Sequence, residues 1–307
     1  MIPKFPEFKK IELCDKEEIE NITNQFPLYS DFHFVTIYCW DIDNSTLISN
    51  LNENLILKQI DCMTGEQFFS FIGINTVDDT VKEISDYLYQ NNLPLILRWV
   101  PEESVNCLIG IEATVTEDRD YFDYIYDVDD FYAATGGKYK SYRNAISKFN
   151  RQYPNVIVKH IDIQNKTVKE QLSNLFKIWY SNKLNTNHVD EQLEFKALKK
   201  LLYNAENFKT LIGLGVYIND IMIAFAIEDI FDKEFGCGLF WKANINYSGI
   251  YNFLQNETLK LYHCKGIKYM NMESDIGIES LRNSKMRYHP SFFLKKYKIE
   301  ISVPVYL

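Results

Sequence analysis

Residues 211–243 constrain the fold more than any other stretch. LIGLGVYI (211–218) and IMIAFAIEDI (221–230) are two β-rich runs separated by the pair Asn219-Asp220. EFGCGLFWKA (234–243) follows after a turn at Asp232-Lys233. Asn and Asp tolerate the left-handed backbone of a two-residue hairpin, so the three runs predict an antiparallel meander. GIYNFLQNETLKLYHC (249–264) then repeats apolar residues at helical spacing, burying Ile250, Phe253, Leu254 and Leu261. KYMNME (268–273) reads as the next strand and LKKYKIEIS (294–302) as the last.

Upstream, strand and helix signals alternate. Period-2 stretches occur at FHFVTIYCW (32–40), NLILKQI (54–60) and FFSFIGI (68–74). DDTVKEISDYLYQ (78–90) predicts a helix, LPLILRWV (93–100) a buried strand, and YFDYIYDV (121–128) a strand with Phe122, Tyr124, Tyr126 and Val128 on one face. A helix over 138–151, a strand over 155–162 and helices over 167–183 and 191–208 lead into the meander. The second half thus reads strand, two helices, meander, helix, strand, short helix, strand. The first half is a looser version of that order. The expected architecture is mixed α/β, two lobes spanning 1–135 and 136–307, each a mostly antiparallel sheet flanked by helices.

Composition narrows the function. The net charge of −9 gives no global footprint for nucleic acid, so any such contact needs a local basic patch. MIPKFPEFKK has no apolar core of a signal peptide, and the longest apolar runs are too short to span a bilayer, so a cytoplasmic chain without transmembrane segments is expected. Six scattered cysteines (14, 39, 62, 107, 237, 264) read as reduced thiols, and the histidines at 33, 160, 188, 263 and 289 lack metal-ligand spacing. No metal and no tightly bound cofactor are expected. G-x-S-x-G, Walker, G-x-G-x-x-G and His-Glu-x-x-His patterns are absent, which removes the corresponding hydrolase, ATPase, dehydrogenase and zincin readings.

Three stretches carry candidate chemistry. GGKYKSYRNAISKFNR (136–151) places two glycines before a helix start rich in cations; Lys138, Arg143 and Asn144 are candidates for holding a phosphate. The competing reading is a solvated basic helix. TEDRDYFDYIYDVDD (116–130) packs seven acids into the fourteen residues from Glu117 to Asp130, a density that requires pairing or solvation. Arg119, Asp123 and Tyr126 are its candidates for substrate binding. NMESDIGIESLRNSKMRYHP (271–290) is the densest. On an extended chain Glu273 and Asp275 share a direction, suited to accepting a proton from an attacking amine. Arg282 and Lys285, three apart on a short helix, suit a phosphate or an oxyanion. Tyr288 is a further binding candidate, and the competing reading is an internal salt-bridge network. In NINYSGIYN (244–252), Gly249 is the one glycine available to cradle a pyrophosphate.

DRDYFDYIYD, GGKYKSYRNAISKF and the 271–290 stretch together resemble a bacterial family that shares the C-terminal domain of phosphatidylglycerol lysyltransferase. IELCDKEEIE and SDFHFVTIYCW fit the same likeness, which covers nearly the whole chain. A more distant similarity is to Fem-type aminoacyltransferases: Lys140, Arg143, Asn144 and Ile146 approximate their basic helix, and Gly277, Leu281 and Arg282 their closing Gly-x-x-x-Phe-Lys, with Arg in place of Lys. The resemblance implies tandem GNAT-like acyltransferase lobes, with a pocket where the last meander strand and the strand after the helix diverge. It implies an aminoacyl-tRNA donor, tRNA contact through the basic helix, and an amine or hydroxyl acceptor on a small molecule or lipid head group. An acyl-CoA donor and a catalytically inactive binding module are the alternatives.

Overall fold

The computed structural model describes residues 1–61, 64–182 and 190–302; Cys62, Lys183 and His188 lie outside the described residues. The chain divides into two compact units. The first comprises Met1–Asp123, Ser274–Arg282 and Phe293–Leu307, the second Tyr124–Glu273 and Asn283–Phe292. The boundary expected at 135/136 falls inside the second unit. Among the described residues no helix is long and apolar enough to cross a membrane.

In the first unit β1 (Lys9–Lys10), α1 (Lys16–Thr23), α2 (Phe34–Trp40), β2 (Leu47–Leu51), β3 (Asn54–Ile60), β4 (Gln67–Ile72), α3 (Val77–Gln90), β5 (Ile96–Pro101), α4 (Glu102–Val105) and β6 (Ala113–Glu117) follow in order. The C-terminal strand, Lys296–Ile301, enters the same sheet between β5 and β6, so the sheet runs β1-β2-β3-β4-β5-C-terminal strand-β6. It was expected to close the second lobe. Its sequence pattern does not say which sheet it joins, so only the tertiary structure chooses. The β4–β5 pair is parallel; β3–β4 and the pairs of the C-terminal strand are antiparallel. Helix α3 buries Val77, Val81, Ile84 and Leu88, one helical stripe, against Ile56, Phe69, Phe71, Leu97 and Ile299 of the sheet.

FHFVTIYCW is a correction: residues 34–40 form α2, not a strand. Phe34, Val35, Ile37 and Cys39 are all buried, so the segment is enclosed on more than one side and its apparent alternation is not a face. Short apolar runs enclosed in this way do not distinguish helix from strand.

A bulge in β5 has a larger consequence. The C-terminal strand pairs Tyr297 with Val100 and Ile299 with Leu97, so Arg98 and Trp99 together oppose Lys298. Trp99 takes a left-handed backbone, φ 57°, which costs about 1–2 kcal/mol for a residue with a Cβ. The extra residue turns Val100 onto the face of Leu97, into the α3 core. Trp99 joins Phe68 and Tyr121 in a separate aromatic cluster.

The second unit contains β7 (Asp123–Asp127) from Tyr124 onward, α5 (Val128–Ala133), α6 (Lys140–Gln152), β8 (Ile157–Ile161), α7 (Lys166–Ser181), α8 (Asp190–Tyr203), β9 (Leu211–Ile218), β10 (Ile221–Asp229), β11 (Phe235–Ala243), α9 (Ile250–Lys265), β12 (Tyr269–Asn271) and the second half of α10 (Glu279–Met286). Its sheet runs β13 (Phe292–Leu294)-β7-β12-β11-β10-β9-β8. The meander forms as expected: Asn219 and Asp220 take φ 49° and 61°, both left-handed, and Ile218 pairs with Ile221. Helix α9 covers it with Ile250, Phe253 and Leu254, against which Phe149 of α6 stacks at 4.6 Å from Phe253. Strands β11 and β12 are parallel and stay paired only from Phe235–Tyr269 to Cys237–Asn271. β11 continues to Ala243, so its far half has no strand partner on that side among the described residues.

Among the buried polar groups of this unit, Glu228 is a carboxyl held without a cation. Glu228 of β10 is fully buried and receives the Tyr262 hydroxyl at 2.7 Å and the Trp241 indole N–H at 2.5 Å. Burial pushes its carboxyl up to about 8, against the opposing pull of those two hydrogen bonds, with the Glu273 charge adding to the rise. The folded state therefore binds this proton more tightly than the unfolded chain. The stabilisation is complete below the ordinary carboxyl pKa of 4.5 and is lost as pH rises towards about 8. Glu228→Gln is expected to flatten this decline, gaining on the wild type by up to about 1.4 kcal/mol per pH unit. Urea midpoints at pH 5, 6.5 and 8 test it; parallel curves for the two proteins would show that Glu228 ionises normally.

Candidate active site

Strand β12 ends at Asn271, and the chain beyond it is not extended. Glu273, Ile276 and Gly277 take φ 55°, 45° and 75°. The parity that would point Glu273 and Asp275 the same way does not apply through such a turn. Each unit is built around its own part of the stretch.

In the first unit Asp275 is fully buried and acts as an anchor. Its carboxylate receives Arg282 through Nε at 2.9 Å and Nη2 at 2.8 Å, Arg119 Nη1 at 3.3 Å and the Gly277 N–H at 3.0 Å. The two parallel bonds from Arg282 form the bidentate geometry that a planar guanidinium provides and an ammonium does not. Arg282 Nη2 also reaches Asp120 at 2.6 Å, and a side chain at Gly277 would meet the Asp120 carboxylate at 3.0 Å. Arg119 lies over the rings of Phe122 and Phe293 at 5.5 and 4.8 Å. Arg282 Nη1 has no protein partner among the described residues, and the side chain is about one third exposed.

Asp123 belongs to a second buried cluster of this unit. It accepts the Ser30 N–H and hydroxyl, each at 2.7 Å, and the Lys296 ammonium at 2.8 Å. Lys296 is itself fully buried and also bonded to Asp31. The amine that Asp123 holds is the protein's own. Lys296 had no signal in the sequence to set it apart from its neighbours Lys295 and Lys298.

In the second unit the Lys285 ammonium donates to the carbonyls of Met272 at 2.6 Å and Glu273 at 3.2 Å, and lies 5.6 Å from the Tyr124 ring centre. It thus closes the end of β12, where the sheet opens. The Glu273 N–H donates to Asn271 Oδ1 at 2.6 Å. Tyr126, fully buried, donates its hydroxyl to the Lys285 carbonyl at 2.9 Å. Tyr288 packs on Phe131 and Tyr142 with its hydroxyl 3.4 Å from Asn252 Oδ1, and burial pushes it up to about 12.

The basic helix divides into parts. Lys138 pairs with Asp130 at 3.1 Å, and Arg143 donates to the carbonyls of Ala134 and Gly136, closing the glycine loop. Asn144 is exposed on α6. Gly249 caps α9 with φ 88°; a Cβ there would lie 3.3 Å from the Ala145 carbonyl, so this loop packs directly on α6. Among the described residues, Glu12, Cys14 and Asp15 bring three metal-capable atoms within 4.8 Å, but the Lys9 ammonium already sits 2.8 Å from both carboxylates.

Arg282→Ala deprives the buried Asp275 of its bidentate partner and is expected to lower stability by about 1–3 kcal/mol. Arg282→Lys should recover only part of this, because one ammonium does not reproduce two parallel donors. A denaturant midpoint unchanged in Arg282→Ala would show that the network contributes nothing.

Three solved structures share this fold. A conserved protein of unknown function from Bacteroides thetaiotaomicron is 24% identical, with a TM-score of 0.83 over 98% of this chain and 100% of the other. The C-terminal domain of a putative lysylphosphatidylglycerol synthetase from Agrobacterium fabrum is 12% identical, with a TM-score of 0.65 over 94% and 92%. FemX is 8% identical, with a TM-score of 0.59 over 97% and 98%. They establish two tandem GNAT-like lobes. Residues 24–300 match the family described as phosphatidylglycerol lysyltransferase, C-terminal, and with nine-tenths of its length inside that match the chain belongs to this family.

Proposed function

We propose that the protein is an aminoacyltransferase that takes its acyl group from an aminoacyl-tRNA and passes it to an amine or hydroxyl on a small molecule or lipid head group. The observation that carries the tRNA half is the surface of α6. Lys140, Arg143, Lys148 and Arg151 fall on one side of this helix, and the buried Tyr142 and Phe149 on the other. Lys140, Lys148 and Arg151 are exposed and have no ion-pair partner among the described residues. In a chain of net charge −9, a basic face left uncompensated is suited to a polyanion.

The acceptor half rests on the end of β12. There we assign to Glu273 the role of taking a proton from an attacking amine, and Lys285 holds the local backbone. In the first unit, Arg282 keeps two Nη1 donors, which we assign to a phosphate or a developing oxyanion. Family membership supports acyl transfer as the class of chemistry.

Filter binding of a mixed pool of charged tRNA, at low and moderate salt with uncharged tRNA as competitor, tests the donor. Selective retention of one aminoacyl species is expected; no retention at low salt overturns the reading and returns the question to thioester donors or a binding role. Lys148→Glu with Arg151→Glu should lower the salt dependence by about one unit per lost phosphate contact. Glu273→Gln should leave tRNA binding intact while slowing transfer by about 10²–10⁴-fold.

A further inference from the structure

Strand register gathers three turns at one end of the second sheet. Ile157, which starts β8, pairs with Tyr217 near the end of β9. Ile218 closes β9 against Ile221, which starts β10. Ala243, the last residue of β11, pairs with Ala224, and the Asn244 N–H donates to the Ile223 carbonyl at 2.8 Å. The ring of Tyr153, just after α6, lies 5.3 Å from that of Tyr247. Segments 151–157, 218–222 and 244–248 are therefore neighbours. Adjacent strands are about 4.8 Å apart, so Ile157 and Ile221, with β9 between them, stand roughly 10 Å from one another.

Among the described residues of this unit four isoleucines are exposed, and three of them are on these turns. Ile157, Ile221 and Ile245 are 51, 63 and 49% exposed; the fourth, Ile178, is on α7. Tyr153 and Tyr247 beside them are partly buried. In a chain with 24% charged residues, the three segments contain one cation, Arg151, and one anion, Asp220. Exposed apolar side chains scattered singly need no explanation, but a group of them with few charges marks a surface that meets an apolar partner. Cations adjoin it: Arg151 is in the last turn of α6, and the exposed Lys148 is one turn before it.

We propose that this end of the second unit is a docking surface for an anionic lipid bilayer. The isoleucines enter the acyl region, the two tyrosines stand at the level of the head groups, and Lys148 and Arg151 meet the lipid phosphates. Apolar tips carried on three separate turns suit a fluid interface, and the two cations, against the single Asp220, set the sign of its charge. The contact lies wholly within the second unit and holds whatever the acceptor of the transfer reaction is. Because Lys148 and Arg151 also belong to the face assigned to tRNA, the isoleucines alone are varied in the test.

The full chain is co-sedimented with phosphatidylcholine vesicles, either pure or containing about 30 mol% phosphatidylserine. Retention is expected on the anionic vesicles and should weaken as salt rises. Ile157→Thr, Ile221→Thr and Ile245→Thr combined keep the branched shape at exposed positions and should lower retention at least about tenfold. Ile109→Thr, which alters an isoleucine 86% exposed on the first unit, should leave it unchanged. If the anionic vesicles do not retain the protein, or retain the triple variant equally well, the proposal fails. It fails too if Ile109→Thr weakens retention as much, because the binding is then general adhesion. A concentration-dependent dimer that the triple variant abolishes, without vesicle binding, would overturn it in favour of a second copy of the chain.

Discussion

A carboxylate without solvent exposure, Asp275, sets the form of the segment on which the candidate chemistry depends. A buried charge is tolerated only when its lone pairs are filled, and Asp275 fills them with two guanidiniums and a backbone N–H. That requirement draws Arg119, from the acid-rich stretch, and Arg282, from a helix beginning four residues after Asp275, onto one point. It also requires the tight turn at Ile276 and Gly277. Acids and cations crowd after the strand because they neutralise one another, Arg282 bridging Asp275 and Asp120.

The same logic recurs in the first unit. Lys296 sits between Asp123 and Asp31, and Arg98 between Asp61 and Asp118. Such groups add little net stability, because desolvation offsets the attraction, but removing one partner strands the other. The C-terminal strand enters this sheet carrying Lys296, and the carboxylates of Asp123 and Asp31 are where that ammonium is neutralised. The second unit differs: the buried Glu228 carboxyl is met by a phenol and an indole instead of a cation, and burial raises its pKa.

The opening of each sheet follows from a parallel pair that stops early. β4 and β5 share one register pair, β11 and β12 three. In the second unit Glu273 and Lys285 stand at the opening; in the first, the bulge fills it with Arg98, Trp99 and their aromatic neighbours. The two lobes thus share an architecture while presenting different chemistry.

The local elements were legible in the sequence because their causes are local. The meander follows from turn residues that accept positive φ between β-branched runs, and α3, α6 and α9 from apolar residues at helical spacing. The density of charge over 117–130 and 271–290 was equally plain, as was its alternative meaning as a salt-bridge network. Which acid meets which cation was not legible, since Asp123 with Lys296 and Arg119 with Asp275 are brought together from more than 150 residues apart. Segment 34–40 was misread because enclosure, not period, decides a short apolar run. The Arg98–Trp99 bulge was invisible for a related reason: an extra residue in a strand changes no pattern until a partner strand sets the register. The sequence by itself determined the meander, the helices α3, α6, α7 and α9, and the family. Only the tertiary structure decided where the last strand goes, which charges are buried and which acid meets which cation, because desolvation acts on groups that meet in space.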